Sequence, residues 1–570
     1  MRSRACRALA AVACLSFGLT PAFAQLPQLV ADTAPGPAGS MPYGVTHFGR
    51  FVLYGADDGT SGIEPWISDG TPAGTFRLGD LNPGPMSSYP GYFTVFGSAV
   101  LFQAYVLPFG HETWITDGTA VGTQLLVDLA PGLMNSNPHG FVVFRDRVLF
   151  VASNGSGERV WQTDGTAAGT VPHPVVPANA ALVGVFGHRL CYTRRSGNLH
   201  EFWLWDGVAA PVQFASFAQV ASMPEPYVLG EFGDRILFVP PPTAGAQIWS
   251  SDGTAASNTP ITQPAARIRQ HVAMGGAVYY LAESYFNTVE LRATDGTLAS
   301  DRGVAQFANW YSLVASADRL FLLGAVPNPF PIPGSQAPER LWVSDGSTAG
   351  TTVLSTTLTG VRAMTPVGSR QIAFVAREAA TGDELWRSDG TVAGTTRLTD
   401  LSAGAASTIG ALAHESYGGG RLWFAGDDGV HGTELYTLHT GAGNVALGHG
   451  CGGAVELRLQ ATDPVLGAAL TLYGRGATAS APGLVAITPP AAVPNFVVPG
   501  CLVHVDLSVP AILWPFTADP AGTFTAPPLP VPNAAFLDGV VFAAQAVSPW
   551  PGAPLFDLAL SGGVLLTLGQ

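Results

Sequence analysis

The chain reads as an all-β protein: a large β-propeller of eight or nine four-stranded blades, closed by the N-terminal strand, and then a small β-sandwich. Three observations predict this. A short phrase, clearest as Glu384-Leu385-Trp386-Arg387-Ser388-Asp389-Gly390-Thr391-Val392-Ala393-Gly394-Thr395, returns nine times. Its Asp stands at Asp69, Asp117, Asp164, Asp206, Asp252, Asp295, Asp345 and Asp389, and His439 holds the ninth place. The gaps of 48, 47, 42, 46, 43, 50, 44 and 50 residues suit one blade each. Secondly, every module reads as short strands and turns, without the spacing of a long amphipathic helix. Thirdly, the two ends of the repeat region complement each other.

The first element is an export signal. Arg2, Arg4 and Arg7 precede the apolar run Ala8 to Leu19, and Ala22-Phe23-Ala24 offers a small-x-small cleavage site, so residues 1–24 read as a signal peptide. Residues 25–446 form the repeat region. Its start carries an orphan piece, Leu29-Val30-Ala31-Asp32-Thr33-Ala34-Pro35-Gly36, which aligns with Leu125 to Gly132. One full module shows the strand plan. Tyr92 to Phe96 alternates, Ala99 to Ala104 is nearly all apolar, Glu112 to Thr116 is a third strand and Gln124 to Leu129 a fourth. Asp117-Gly118-Thr119 turns the chain, because Asp caps the turn and Gly accepts positive φ. The ninth module stops after Glu434-Leu435-Tyr436-Thr437 and lacks its fourth strand, which the orphan piece would supply. Such an exchange closes a ring and hides sheet edges.

From about Leu447 the phrase is gone. Short alternating runs such as Leu470 to Gly474 and Val503 to Leu507, separated by Pro and Gly turns, make residues 447–570 a β-sandwich. Cys451 and Cys501 lie there in an oxidising setting, and a disulfide is expected over two free thiols. Cys191 falls inside a strand and reads as a small buried apolar residue.

Composition excludes several functions. All 26 basic residues are Arg, which removes Schiff-base and phosphate-loop lysines. A net charge of −14 with no Arg-rich run argues against nucleic acid and anionic membrane surfaces. No run approaches the roughly 18 apolar residues of a spanning helix.

The phrase resembles that of the bacterial repeat family named for its motif, ELWxxDGT, over roughly Leu29 to Thr440. The resemblance implies an exported all-β repeat protein and carries no reaction. Modules four to seven depart from it, at Val208, Ser257-Asn258, Ser300-Asp301 and Ser347. The C-terminal region resembles the Gly-x-Gly-Cys-x-Gly modules that end many secreted bacterial proteins, with Cys451 and Cys501 matching their paired cysteines.

The recurring side chains read first as architecture. Trp66, Trp114, Trp161, Trp249, Trp342 and Trp386 recur on one strand face as inter-blade core, the rival being a ring of sugar-binding aromatics. The repeated Asp is a turn-former, with calcium as its rival at the acidic loops Asp57-Asp58-Gly59 and Asp427-Asp428-Gly429. The full calcium loop pattern is absent, as are zinc spacings, Gly-x-Ser-x-Gly and phosphate loops. No catalytic, cofactor or metal residue is therefore assigned. His111 and His431 sit in loops before the Glu-Leu-Trp strand, where a ring would gather them on one face. The leading expectation is a secreted, non-catalytic binding or surface-interaction protein, with polysaccharide or protein as partner and no enzyme activity. The rivals are an exported hydrolase or oxidoreductase with a site at the propeller mouth, and a cell-envelope structural component.

Overall fold

The structure is a computed structural model. It describes residues 27–568 apart from 219–224, 242–244, 285–287, 326–338, 368–369, 403–408, 410–415, 419, 441–442, 448–456, 462–463, 466–467, 489, 499–500, 506–510, 533–540, 550–557 and 562. The expected signal peptide lies outside the described residues.

Among the described residues nine four-stranded antiparallel sheets follow one another, which gives nine blades. Blade one comprises Tyr43–Phe48, Phe51–Asp57, Ile63–Ser68 and Phe76–Arg77, from the inner strand outwards. In blade two the strands are Gly91–Phe96, Ala99–Val106, Gly110–Thr116 and Gln124–Val127. The fourth ends two residues short of expectation because the Leu129 N–H turns to a side chain, the Glu112 carboxylate 3.0 Å away.

The ninth blade is built from both ends of the repeat. Ser416–Gly418, Arg421–Asp427 and Thr433–His439 supply three strands, and Gln28–Leu29 supplies the fourth. Leu29 lies opposite Tyr436, just as Leu125 lies opposite Trp114 in blade two. Val30 adds a main-chain bond to Leu435 O at 2.9 Å. The inner strand of blade nine meets that of blade one, so the ring is closed.

The second strand of each blade is the core. Its central residue faces the repeated Trp or its replacement: Tyr54, Phe102, Phe150, Tyr192, Phe238, Tyr280, Phe374 and Phe424 are all buried, with Leu322 in blade seven. Burying each contributes about 1.5–3 kcal/mol. These aromatics pack between blades, and at the closure Val52 and Tyr54 of blade one pack with Trp423, Leu435 and Val30.

The remaining strands form the sandwich. One sheet contains Gly443–Leu447, Gly563–Thr567, Val541–Pro549, Pro482–Thr488 and Ile512–Thr517, and another contains Arg458–Ala461, Leu472–Arg475 and Phe524–Thr525. Leu459 and Leu472 of one face Val485, Ala544 and Leu566 of the other in a common core. Because Gly443–Leu447 already pairs with Gly563–Thr567, the sandwich begins slightly before residue 447. Among the described residues no helix is long and apolar enough to cross a membrane.

Candidate functional site

The antiparallel order puts the repeated Asp on the same face as the turns between inner and second strands. The loops between second and third strands lie on the opposite face. On the first face the Asp serves its own turn. Asp117 Oδ1 accepts from Thr119 N at 2.9 Å and Thr119 Oγ1 at 2.6 Å, and Thr123 Oγ1 bonds Thr119 O at 2.7 Å. Asp69, Asp164, Asp252, Asp295 and Asp389 accept from Thr71, Thr166, Thr254, Thr297 and Thr391 in the same way, and Asp345 from Ser347. Asp206, where the Thr is missing, accepts instead from the N–H groups of Val208 and Ala209. Gly118 has φ +87°, and a Cβ at Gly122 would collide with the Asp117 carboxylate, which accounts for both glycines of the phrase. In blades five and six, where the later Gly-Thr is lost, Ser257 and Ser300 take over the bonding within 3_10 turns. The departures are alternative ways of closing one turn.

Trp114, Trp161 and Trp386 are buried, while Trp66, Trp249 and Trp342 are half-buried. Trp66, Trp161 and Trp342 each donate Nε1–H to a second-strand carbonyl at 3.1 Å. Buried Cys191 has its thiol pushed up to about 12 by burial, which opposes a nucleophilic role. Cys451 and the side chain of Cys501 lie outside the described residues, and the expected disulfide with them.

On the opposite face the Glu of the phrase has a specific task. Glu64, Glu112, Glu384 and Glu434 are fully buried. Glu64 accepts from Leu81 N, Ser88 N and Ser88 Oγ at 3.0, 3.1 and 2.7 Å, holding the link to the next blade. Glu112 does the same with Leu129 and Ser136. Glu434 uses these bonds on the far end of the chain: Ala34 N at 3.0 Å and Ser40 Oγ at 2.5 Å. Burial lifts the carboxyls of Glu64, Glu112 and Glu434 above their ordinary range against these bonds.

At this seam one cleft of about 540 Å³ opens between blades eight and nine. Leu29, Arg397, Thr399, Asp400, Asp428, His431 and Tyr436 are among its lining residues. His431 Nδ1 lies 2.7 Å from Asp428 Oδ2, and a carboxylate can only accept, so Nδ1 donates. The imidazole is thereby raised above its ordinary value, against its partial burial. Burial pushes the Asp428 carboxyl up, but the His431 main-chain and ring bonds and the Val430 N–H outweigh it and hold it well below the carboxylate range. His431 is about a third exposed, its side chain at 34%. Its Nε2 has no hydrogen-bond partner among the described residues.

Blade one shows what is special here. There Asp58 occupies the place of Asp428, and it pairs with Arg77 of its own outer strand at 2.8 Å. Opposite Tyr436 the seam has Leu29 where blade one has Arg77 opposite Trp66. Asp428 has lost the arginine and gained His431 in the place of Ser61. In the sequence both acidic loops look alike. The signal that separates them is the pairing partner of the outer strand, which comes from the other end of the chain. Asp57 Oδ1 and Asp427 Oδ1 accept from Gly59 N and Gly429 N. Among the described residues no three His, Cys, Asp or Glu converge as metal ligands would.

No family model and no curated protein matches the chain. Solved structures do. An acylaminoacyl peptidase from Pyrococcus horikoshii is similar at 15% identity and TM-score 0.30, over 59% of this chain and 57% of that one. The β-propeller domain of a trilobed protease from Pyrococcus furiosus, described as having an open velcro topology, is similar at 14% and 0.32, over 55% and 98%. A puromycin hydrolase is similar at 12% and 0.32, over 63% and 62%. The chain thus spans less than two thirds of the peptidase and hydrolase chains it is similar to. These findings run against the expectation of a non-catalytic binding protein without enzyme activity, and both parts are withdrawn. At such identity and TM-score they carry no reaction across to this chain.

Proposed function

We propose that the chain is an exported hydrolase whose acid–base group is the Asp428–His431 pair in the seam cleft. The observation that carries this reading is the 2.7 Å bond from His431 Nδ1 to Asp428 beside a cleft of about 540 Å³, a size that suits a small ligand. With Nδ1–H donated, Nε2 of the neutral ring holds the lone pair. A water gives its proton to Nε2 as its oxygen attacks an acyl carbon. Asp428 stabilises the imidazolium, which returns the proton to the leaving group as the acyl bond breaks. Export is supported by the basic start, apolar run and Ala22-Phe23-Ala24, and membership of the ELWxxDGT family by the ninefold phrase.

The test is hydrolysis of 4-nitrophenyl acetate by the purified chain and by His431→Asn. General acid–base catalysis is worth about 10²–10⁴-fold, so the variant should lose at least about a hundredfold in kcat/KM. Equal rates in both proteins, or no turnover by the unaltered chain, would sink the reading.

A further inference from the structure

We infer that a second cleft, between blade nine and blade one, is a binding site for an organic cation, an alkylammonium group seated on Trp66 and held by Asp32. The inference goes beyond the hydrolase reading and does not depend on it. The cleft has a volume of about 390 Å³, and Leu29, Asp32, Thr33, Trp66 and Thr75 are among its lining residues. Leu29 also lines the cleft that holds His431, so the N-terminal strand stands between the two.

Comparison with other blades shows why space opens here. Asp80-Leu81 follows the outer strand of blade one, Asp128-Leu129 that of blade two and Asp400-Leu401 that of blade eight. In each case the leucine packs with the cluster that holds the aromatic of the following blade, Trp114, Trp161 or Tyr436. Those three rings are buried. After the N-terminal strand the same place reads Asp32-Thr33. The shorter, polar Thr33 does not cover Trp66 as a leucine would, and Trp66 stays half-buried. The carboxylate differs as well. Asp80 and Asp128 each have one oxygen shut off from solvent, whereas Asp32 is exposed. Trp66 Nε1 already donates to Ala56 O at 3.1 Å, so the indole offers a ligand its ring rather than its N–H.

Charge selects the ligand. Asp32 is the one ionisable group among the lining residues. Arg77, opposite Trp66 on the outer strand, is matched by Asp58 at 2.8 Å and adds no free positive charge. Beyond the N-terminal strand His431 is paired with Asp428, and loss of its proton only makes that side more negative. The cleft therefore favours a cation in either state of His431, and the net charge of −14 draws cations towards the chain. An aromatic ring beside a single carboxylate suits an organic ammonium, whereas a metal ion needs several oxygen ligands. The same group is carried by a free quaternary amine such as choline and by the lysine side chain of a peptide.

The experiment is calorimetric titration of the full chain with choline chloride at low salt, against its uncharged isostere 3,3-dimethyl-1-butanol. Choline should bind saturably and about tenfold or more tighter than the alcohol. Thr33→Leu, which supplies the covering side chain of the other blades, should weaken choline binding about tenfold or more while the melting temperature holds or rises. Asp32→Asn alters an exposed side chain and should weaken it about three- to fivefold. N-acetyl-lysine methylamide separates the sources: tighter binding than choline assigns the site to a peptide lysine, weaker binding to a free quaternary amine. Three results overturn the inference: no saturable binding of either cation, equal affinity for the alcohol, or unchanged affinity in a folded Thr33→Leu. If Thr33→Leu does not fold, Asp32→Asn decides, and choline affinity unchanged there removes the site.

Discussion

Glu434→Ala should open the ring at its seam and leave the other blades intact. The fully buried Glu434 carboxylate accepts from Ala34 N at 3.0 Å and Ser40 Oγ at 2.5 Å, two bonds that tie residues 34–40 to blade nine. Hydrogen bonds to a charged group contribute about 1.5–3 kcal/mol each, so the pair contributes about 3–6 kcal/mol. Removing a buried carboxylate also recovers part of its desolvation cost, which brings the net loss to about 2–4 kcal/mol. At about 1.4 kcal/mol per factor of ten, the seam should open roughly 30- to 700-fold more often. Hydrogen exchange reads this directly at the Val30 amide, which bonds Leu435 O at 2.9 Å only while the strand is docked. Glu64→Ala is the control, since Glu64 makes the same kind of bonds to a link between consecutive blades. Two results would refute the reasoning: a change at Val30 below about threefold, or equal acceleration by Glu64→Ala.

Other perturbations bear on the same joint. Burial lifts the Glu434 carboxyl, so its contribution is fully present below the unfolded value of about 4.3 and is lost as pH rises through the higher folded value. The always-neutral Glu434→Gln should gain stability relative to the unaltered chain between acid and neutral pH in urea melts; a constant difference counts against this. Asp428 is lowered, and its contribution is lost as pH falls below about 3.9; His431 is raised, and its contribution is lost as pH rises beyond about 6.5. Hydrolysis needs the neutral ring, so kcat/KM should climb with pH through a group titrating above about 6.5, and a profile flat across that region would exclude His431 as base. Gly432 has φ +69°, and a Cβ there would stand 2.6 Å from Gly39 N and 2.7 Å from Pro37 O. Gly432→Ala should therefore expose residues 27–40 to limited proteolysis, whereas an undigested N-terminus would show that the two segments do not pack this closely.

The sequence made the architecture legible because a blade is a local object. Four strands, an Asp turn and a central aromatic lie within 50 residues, so periodicity and turn chemistry reveal them together. Even the closure was legible, since Leu29 to Gly36 repeats a pattern seen at Leu125 to Gly132. The buried Glu was visible as a repeat but its task was not. Its partners, Ser88 for Glu64 and Ser40 for Glu434, lie 24 residues downstream in one case and 394 residues upstream in the other.

The same reason explains why the candidate site escaped sequence reading. Each of the other eight blades is built from one continuous segment, so a change in its outer strand can be answered within the same blade. At the seam the outer strand comes from residues 28–29 and the rest from 416–439, and the matching is relaxed. Leu29 leaves Asp428 without an arginine, and blade eight leaves Arg397 Nη1 without an acceptor. Neither residue departs from its local pattern. The proposed site lies at the seam, where the pairing of Leu29 with Tyr436 puts Asp428 and His431 beside one cleft.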